Sequence, residues 1–322
     1  MKNKDYLFAV AAIRANELSL LKESDLEQLI NAPDYKKAVS MLAEKGYDLP
    51  EGNNYSEMLD NELEKTWQKI NEIAPEADAL KTFIVKNDFQ NLKAILKSEM
   101  TKNNATQFFV SPCIYDAEKM LESISERKFE ELPELIADTA KKAYDTIVKT
   151  GNGQFCDVII DTAALEAILS FASESNDDTL IEYAQQFCLL TNVKTAYRSV
   201  KTNKNQTFLE MAVAENSLVD KNQFIEEALK GENELLEFLG QKGYSKLKEA
   251  FEKGTSSFEK YCDDELIRIM KKAKMTVFGI SPLAGYYVAR ETEIKCLRII
   301  LSAKLSGVSN EVIRERMREL YV

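Results

Sequence analysis

Two acidic stretches are the first places in this 322-residue chain where side chains could do chemistry. One gathers Asp263, Asp264 and Glu265, and the other reads "ESNDD" over residues 174–178. Bunched carboxylates can hold a hard divalent cation, which asks for six or more oxygen ligands. Neither stretch has the spacing of an EF-hand loop, and a helix cap and a solvated loop account for them better. The five cysteines, Cys113, Cys156, Cys188, Cys262 and Cys296, are odd in number, far apart and form no CxxC pair. They read as reduced, mostly buried thiols rather than a disulfide or zinc framework. The chain has no histidine, which removes the commonest general base, the His-activated nucleophiles and every His-containing metal site. No phosphate-binding GxxxxGK[ST] or GxGxxG occurs, and "GNGQ" at 151–154 reads as a turn. The expectation is a protein with no catalytic residues, no cofactor and no metal.

The elements around these residues are helical. Gly (11) and Pro (6) are scarce, so turn-formers are few and helices with short connections are favoured over many-stranded sheets. The expected fold class is all-α. A net charge of −11 argues against nucleic-acid binding, which needs a dense basic surface. The longest apolar run, "TVFGISPLAGYYVA", contains Pro and two Gly, and no run approaches the 18 residues of a membrane span. The opening "MKNKDYLFAVAAIRANE" meets Arg14 and Glu17 too soon for a signal peptide. A cytoplasmic protein is expected.

One stretch recurs. "ETEIKCLRIILSAKLSG" (Glu291 to Gly307) is apolar almost all round, with a thin polar stripe of Glu291, Lys295, Arg298 and Ser302 on one helix face. "DFQNLKAILKS" (from Asp88) and "LLTNVKTAYRS" (from Leu189) align with it on the anchors Asn91, Asn192 and Cys296, 101 and 104 residues apart. A cation holds the same place in all three: Lys93, Lys194 and Arg298. The stripe of the first copy is Lys86, Gln90, Lys93 and Lys97. Upstream, Asp60, Asp161 and Asp263 recur at nearly the same interval and are expected to be helix N-caps or first-turn acids. "LAEKGY" (from Leu42) and "LGQKGY" (from Leu239) put Gly where a helix C-cap would need it. These echoes predict three helical repeat domains, 1–103, 104–205 and 206–322, able to close around an axis as a pseudo-threefold body. The repeated helix would be central in each. Polar seams at 98–107 and 199–207 fit the boundaries.

The stripe cations have two readings: a ring gripping an acidic partner, or ordinary solvated and ion-paired positions. Tyr286 and Tyr287, after Pro282 at an apparent helix start, are read as core. From Tyr286 onward Arg and Lys outnumber Glu, seven against five, so this section is the best local candidate for an acidic partner.

"SPLAGYYVARETEIKCLRIILSAKLSGVSNEVIRERMRELYV" closely resembles the C-terminal signature of the C subunit of A-type and V-type ATP synthases, called d in vacuolar enzymes. Arg290, Glu291, Glu293, Ile294, Leu297, Arg298, Lys304 and Gly307 match that signature place by place. The N-terminus from Tyr6, with Ala9, is similar to the family's opening, and "DFQNLKAIL" to its D-x-x-N-x-K motif. The middle third drifts most: Leu189 stands where the outer copies have Asp88 and Glu293. The resemblance implies three related helical domains forming a funnel. It also implies a non-catalytic central-stalk subunit on the cytoplasmic face of the membrane. Such a protein receives the shaft (D- and F-type subunits) and sits on the rotor ring, coupling the two for ATP-linked proton or sodium transport. Candidate partner contacts are Lys93, Lys194, Arg290, Lys295 and Arg298. The alternative is a general helical adaptor of a cytosolic complex, which co-purification with ATPase subunits would separate from the first reading.

Overall fold

The computed structural model describes residues 2–49, 52 and 54–322, and among them every regular element is helical. In chain order these are α1 (Lys2–Glu17), α2 (Glu23–Asn31), α3 (Tyr35–Glu44), α4 (Tyr55–Ile73), α5 (Lys81–Thr101), α6 (Ala117–Ser125), α7 (Glu134–Thr150) and α8 (Gly153–Glu174). There follow α9 (Asp178–Lys201), α10 (Gln206–Ala212), α11 (Lys221–Lys230), α12 (Glu232–Leu239), α13 (Lys246–Glu252), α14 (Thr255–Lys271), α15 (Ser281–Leu305) and α16 (Asn310–Glu315). Starts are fixed by short polar side chains: Asp34, Asn54, Asp116, Asn152, Asp177, Asn205 and Asp220 each accept hydrogen bonds from backbone N–H groups of the first turn. Gly46, at φ +94°, ends α3, and Tyr47 N–H returns to Leu42 O as a left-handed cap demands.

The chain forms two compact units, one of residues 1–77 with 249–322, the other of 78–248. These limits differ from 103 and 205, where the repeat places its seams. The reason lies in the packing. α5, from the first third, packs on α8, α6 and α7 of the middle third, while α15, from the last third, packs on α1, α2, α3 and α4 of the first as well as on α14.

In the first unit α15 is buried along most of its length, with Leu297, Ile300 and Leu301 fully enclosed among residues of α2, α3 and α4. Pro282 sits in its first turn, and Tyr286 and Tyr287 are core, as their sequence context suggests. Gly285 is required by proximity: a Cβ there would lie 2.9 Å from the Tyr321 hydroxyl and 3.1 Å from Ala273 Cβ. In the second unit Phe89, Leu92, Ile95 and Leu96 of α5 share a core with Ile136, Ala140 and Ala143 of α7 and Cys156, Ile160 and Ile168 of α8.

One expectation is corrected. Asp60, Asp161 and Asp263 are not helix caps; they lie inside α4, α8 and α14. Asn54 and Asn152 cap the first two of these helices. Aspartate is a poor residue for a helix interior, so its recurrence there needs partners.

Candidate functional site

Two of the three aligned anchors, Asn91 and Asn192, do the same mechanical work. Asn91 is fully buried in α5; its Oδ1 accepts from Val110 N–H at 2.8 Å and its Nδ2 donates to Val110 O at 3.1 Å. Asn192 does likewise on α9, accepting from Ala214 N–H at 3.0 Å and donating to Ala214 O at 2.9 Å. A carboxamide thus replaces a backbone partner in both directions, satisfying an irregular segment that would otherwise bury unpaired polar groups. On α15 the anchor is Cys296, whose thiol lies 3.9 Å from Arg318 O. α5 and α9 therefore fasten the chain returning about twenty residues later, and α15 touches its own returning segment through this weaker contact.

Three residues before each anchor stand Asp88, Leu189 and Glu293. Asp88 is fully buried and accepts from the N–H groups of Ile114 (3.0 Å) and Tyr115 (2.8 Å). Burial raises its pKa from 3.8 to about 6, against the pull of those two N–H donors. Glu293, equally buried, accepts from Leu21 N–H, the Tyr47 hydroxyl and the Arg290 guanidinium. Arg290 also donates to Tyr286 Oη at 3.3 Å and lies 3.8 Å from Glu62. Burial, with Glu293 next, pushes the Tyr47 hydroxyl well above its usual value. Burial likewise raises the carboxyl of Glu62, more than Arg290 lowers it. Arg290, expected as a partner contact, is 4% exposed and belongs to the interior of the first unit. Its charge is matched there, because an arginine taken out of water needs an anion and hydrogen-bond acceptors beside it.

Three of the stripe cations meet the recurring aspartates. Lys93 on α5 pairs with Asp161 on α8, Arg298 on α15 with Asp60 on α4, and Lys295 on α15 with Asp263 on α14 at 3.0 Å. Lys97 adds a bond to Asp157 at 2.8 Å, and Arg298 one to Ser56 Oγ at 2.7 Å. Asp263 also receives Arg318 at 2.9 Å; burial alone would raise its carboxyl, but Lys295 and Arg318 together hold it below the usual range. Lys194 is half-buried on α9. The thin charged line on an otherwise apolar helix is thus a row of cross-helix ties. The sequence displayed both halves of each pair, but not that they meet.

Two open grooves run beside the stripes. One, of about 400 Å³, is lined by Tyr55, Arg298, Ile299, Ser302, Val312 and Arg316 of the first unit. The other, of about 320 Å³, is lined in the second unit by Lys86, Gln90, Asp161, Leu165, Phe187 and Thr191. Much of the basic C-terminal section is engaged internally: Lys304 donates to the carbonyls of Ile30 and Ala32, and Arg314 pairs with Glu27 at 3.1 Å. Among the described residues no cluster of His, Cys, Asp and Glu could hold a metal ion, and no helix is long and apolar enough to cross a membrane.

The sequence pattern of the ATP synthase (C/AC39) subunit matches residues 9–316. The C subunit of the V-type sodium ATPase of Enterococcus hirae is 26% identical over 318 residues, spanning 96% of this chain and 97% of the relative. The C subunit of the A-type ATP synthase of Methanobrevibacter smithii is 23% identical over 345 residues, spanning 97% and 88%, and that of Methanocaldococcus jannaschii 22% over 352, spanning 98% and 86%. Arg290, Glu293 and Arg298, three of the residues that carry the C-terminal resemblance, help tie α15 to its surroundings. The chain belongs to the C-subunit family of A-type and V-type rotary ATPases.

Proposed function

We propose that this chain is the non-catalytic coupling subunit of a rotary ATPase central stalk. It receives the shaft, formed by D- and F-type subunits, and rests on the membrane rotor ring at the cytoplasmic face. Through it torque passes between the ATP-driven head and the ring that carries protons or sodium. The observation that carries this reading is the family match over residues 9–316, with relatives aligned along nearly their whole length. The construction of the two units suits such a part. A torque-bearing coupling must resist shear between neighbouring helices. Ion pairs and carboxamide clamps across helices, added to close-packed cores, oppose sliding more specifically than apolar contact alone.

The relation among 1–103, 104–205 and 206–322 belongs to the same proposal: three copies of one helical plan, each with its central helix (α5, α9, α15) and a clamped return segment. Affinity capture of the tagged chain from native membranes tests the assignment. It should bring down the shaft, ring and ATP-hydrolysing subunits together. Capture of an unrelated cytosolic assembly would instead favour the adaptor reading.

A further inference from the structure

The apolar run singled out in the sequence, from Thr276, begins in the loop between α14 and α15, and the function proposed above does not use it. Met275 is 86% exposed, Val277 62% and Phe278 43%, and Leu18, one turn past Arg14, is 85% exposed. Met275 and Leu18 are the two most exposed large apolar side chains among the described residues. A loop of this kind would ordinarily fold back to hide such groups. Here its shape is fixed from beneath. Nη2 of Arg14 on α1 donates to three of its carbonyls, Ala273 at 2.8 Å, Lys274 at 2.9 Å and Thr276 at 3.1 Å. Nη1 of the same guanidinium is held by both oxygens of Glu17, at 2.7 and 2.9 Å. The loop's own turn, Thr276 N–H to Ala273 O at 3.1 Å, completes the frame.

The surroundings are basic in an acidic protein. Lys271, Lys272 and Lys274 lead into the apolar residues, in a chain of net charge −11. Lys271 pairs with Glu319 at 2.7 Å, and the ammonium of Lys274 lies 4.8 Å over the Tyr321 ring. Partial burial foremost, with Lys271 and Arg14 adding to it and Glu17 opposing, depresses the pKa of Lys274.

We propose that the loop Met275–Phe278 is a preformed apolar knob that docks into a protein partner of the rotary complex, at an apolar depression rimmed by carboxylates. This inference rests on the coupling function proposed above and names one of its contact points. The basic flank fits an acidic rim, and the Arg14 clamp removes in advance the ordering cost that a floppy loop would meet on binding. A protein depression suits these features better than a lipid surface. An anionic bilayer would repel a chain of charge −11, and lipid insertion does not require a shape fixed by specific hydrogen bonds.

The test uses the full chain, native membranes stripped of this subunit, and protein-free vesicles made from the same lipids. The unmodified chain should rebind the stripped membranes and not the vesicles. The double variant Met275→Asp/Val277→Asp should melt as the parent does, since both side chains are exposed, and should rebind roughly tenfold or more weakly. Arg14→Ala, which keeps the apolar residues and frees the loop, should also rebind more weakly. Unchanged rebinding by the double variant would overturn the docking site while leaving the coupling function standing. Unchanged rebinding by Arg14→Ala would overturn its preformed character. Binding to the vesicles, lost in the double variant, would replace the protein partner with lipid. Failure of the unmodified chain to rebind would overturn the coupling function and this contact with it.

Discussion

Asp88 in the second unit and Glu293 in the first stand at the same place in the repeat, and both are buried carboxylates. Asp88 is satisfied by the backbone N–H groups of a returning segment; Glu293 is satisfied by an arginine, a tyrosine hydroxyl and one backbone N–H. The position thus preserves a task, fastening the central helix to an adjacent loop, while the chemistry of the fastening differs. A backbone donor pair leaves the carboxylate to bear its own desolvation, so its pKa rises. A guanidinium supplies a full opposite charge, but makes the pair interdependent: either partner alone is a buried, uncompensated ion.

The largest expected effect breaks that interdependence. Arg290→Ala should destabilise the first unit by about 3–5 kcal/mol, because Glu293 loses its cation. Arg290→Met combined with Glu293→Gln should recover much of the loss. Urea denaturation of the three proteins measures it, and equal stability of the single and double variants would refute the coupling. Next come the cores on which both fastenings rest. Leu297 on α15 and Leu92 on α5 follow their anchors directly and are each fully buried. Either Leu→Ala change should cost roughly 2–5 kcal/mol. A much smaller cost at one of them would show that its central helix is not enclosed as described.

A pH dependence follows for Asp88. Asp88 titrates higher in the folded state, about 6 against 3.8, so its protonation favours the fold. Its contribution is fully present below about pH 4 and is lost as pH rises through about 6, a change of roughly 3 kcal/mol in all. Stability measured from pH 4 to 7 should therefore fall less steeply in Asp88→Asn than in the parent; identical slopes would contradict the assignment. The smallest effect is on the stripe. Arg298 and Asp60 have side chains 36% and 48% exposed, so Arg298→Ala should cost at most about 1 kcal/mol. A loss of coupled activity with an unaltered melting curve would mean that Arg298 serves the groove beside it more than its tie to Asp60.

Much of this was legible in the residues. Scarce Gly and Pro foretold an all-α chain, and the apolar girdle of α15 foretold a buried helix. The anchors Asn91 and Asn192 foretold equivalent sites, although not that each would grip a backbone amide in both directions. What periodicity could not give was partnership. Asp60, Asp161 and Asp263 resemble caps locally, since a short acid ahead of an apolar run is a common helix start; only the tertiary packing brings cations opposite them. Arg290 stands among the candidate partner contacts for the same reason, whereas the fold encloses it at 4% exposure. The stretch from Thr276 reads only as the start of an apolar run, because nothing local records that Arg14, some 260 residues away, holds the Met275–Phe278 loop in place.

The coupling function itself is tested most directly by ATP-driven ion uptake into vesicles carrying the rotary complex with this subunit removed and then restored. Removal should abolish uptake while the head continues to hydrolyse ATP, and adding the purified chain back should restore it. Undiminished uptake in the absence of the chain would contradict a coupling role.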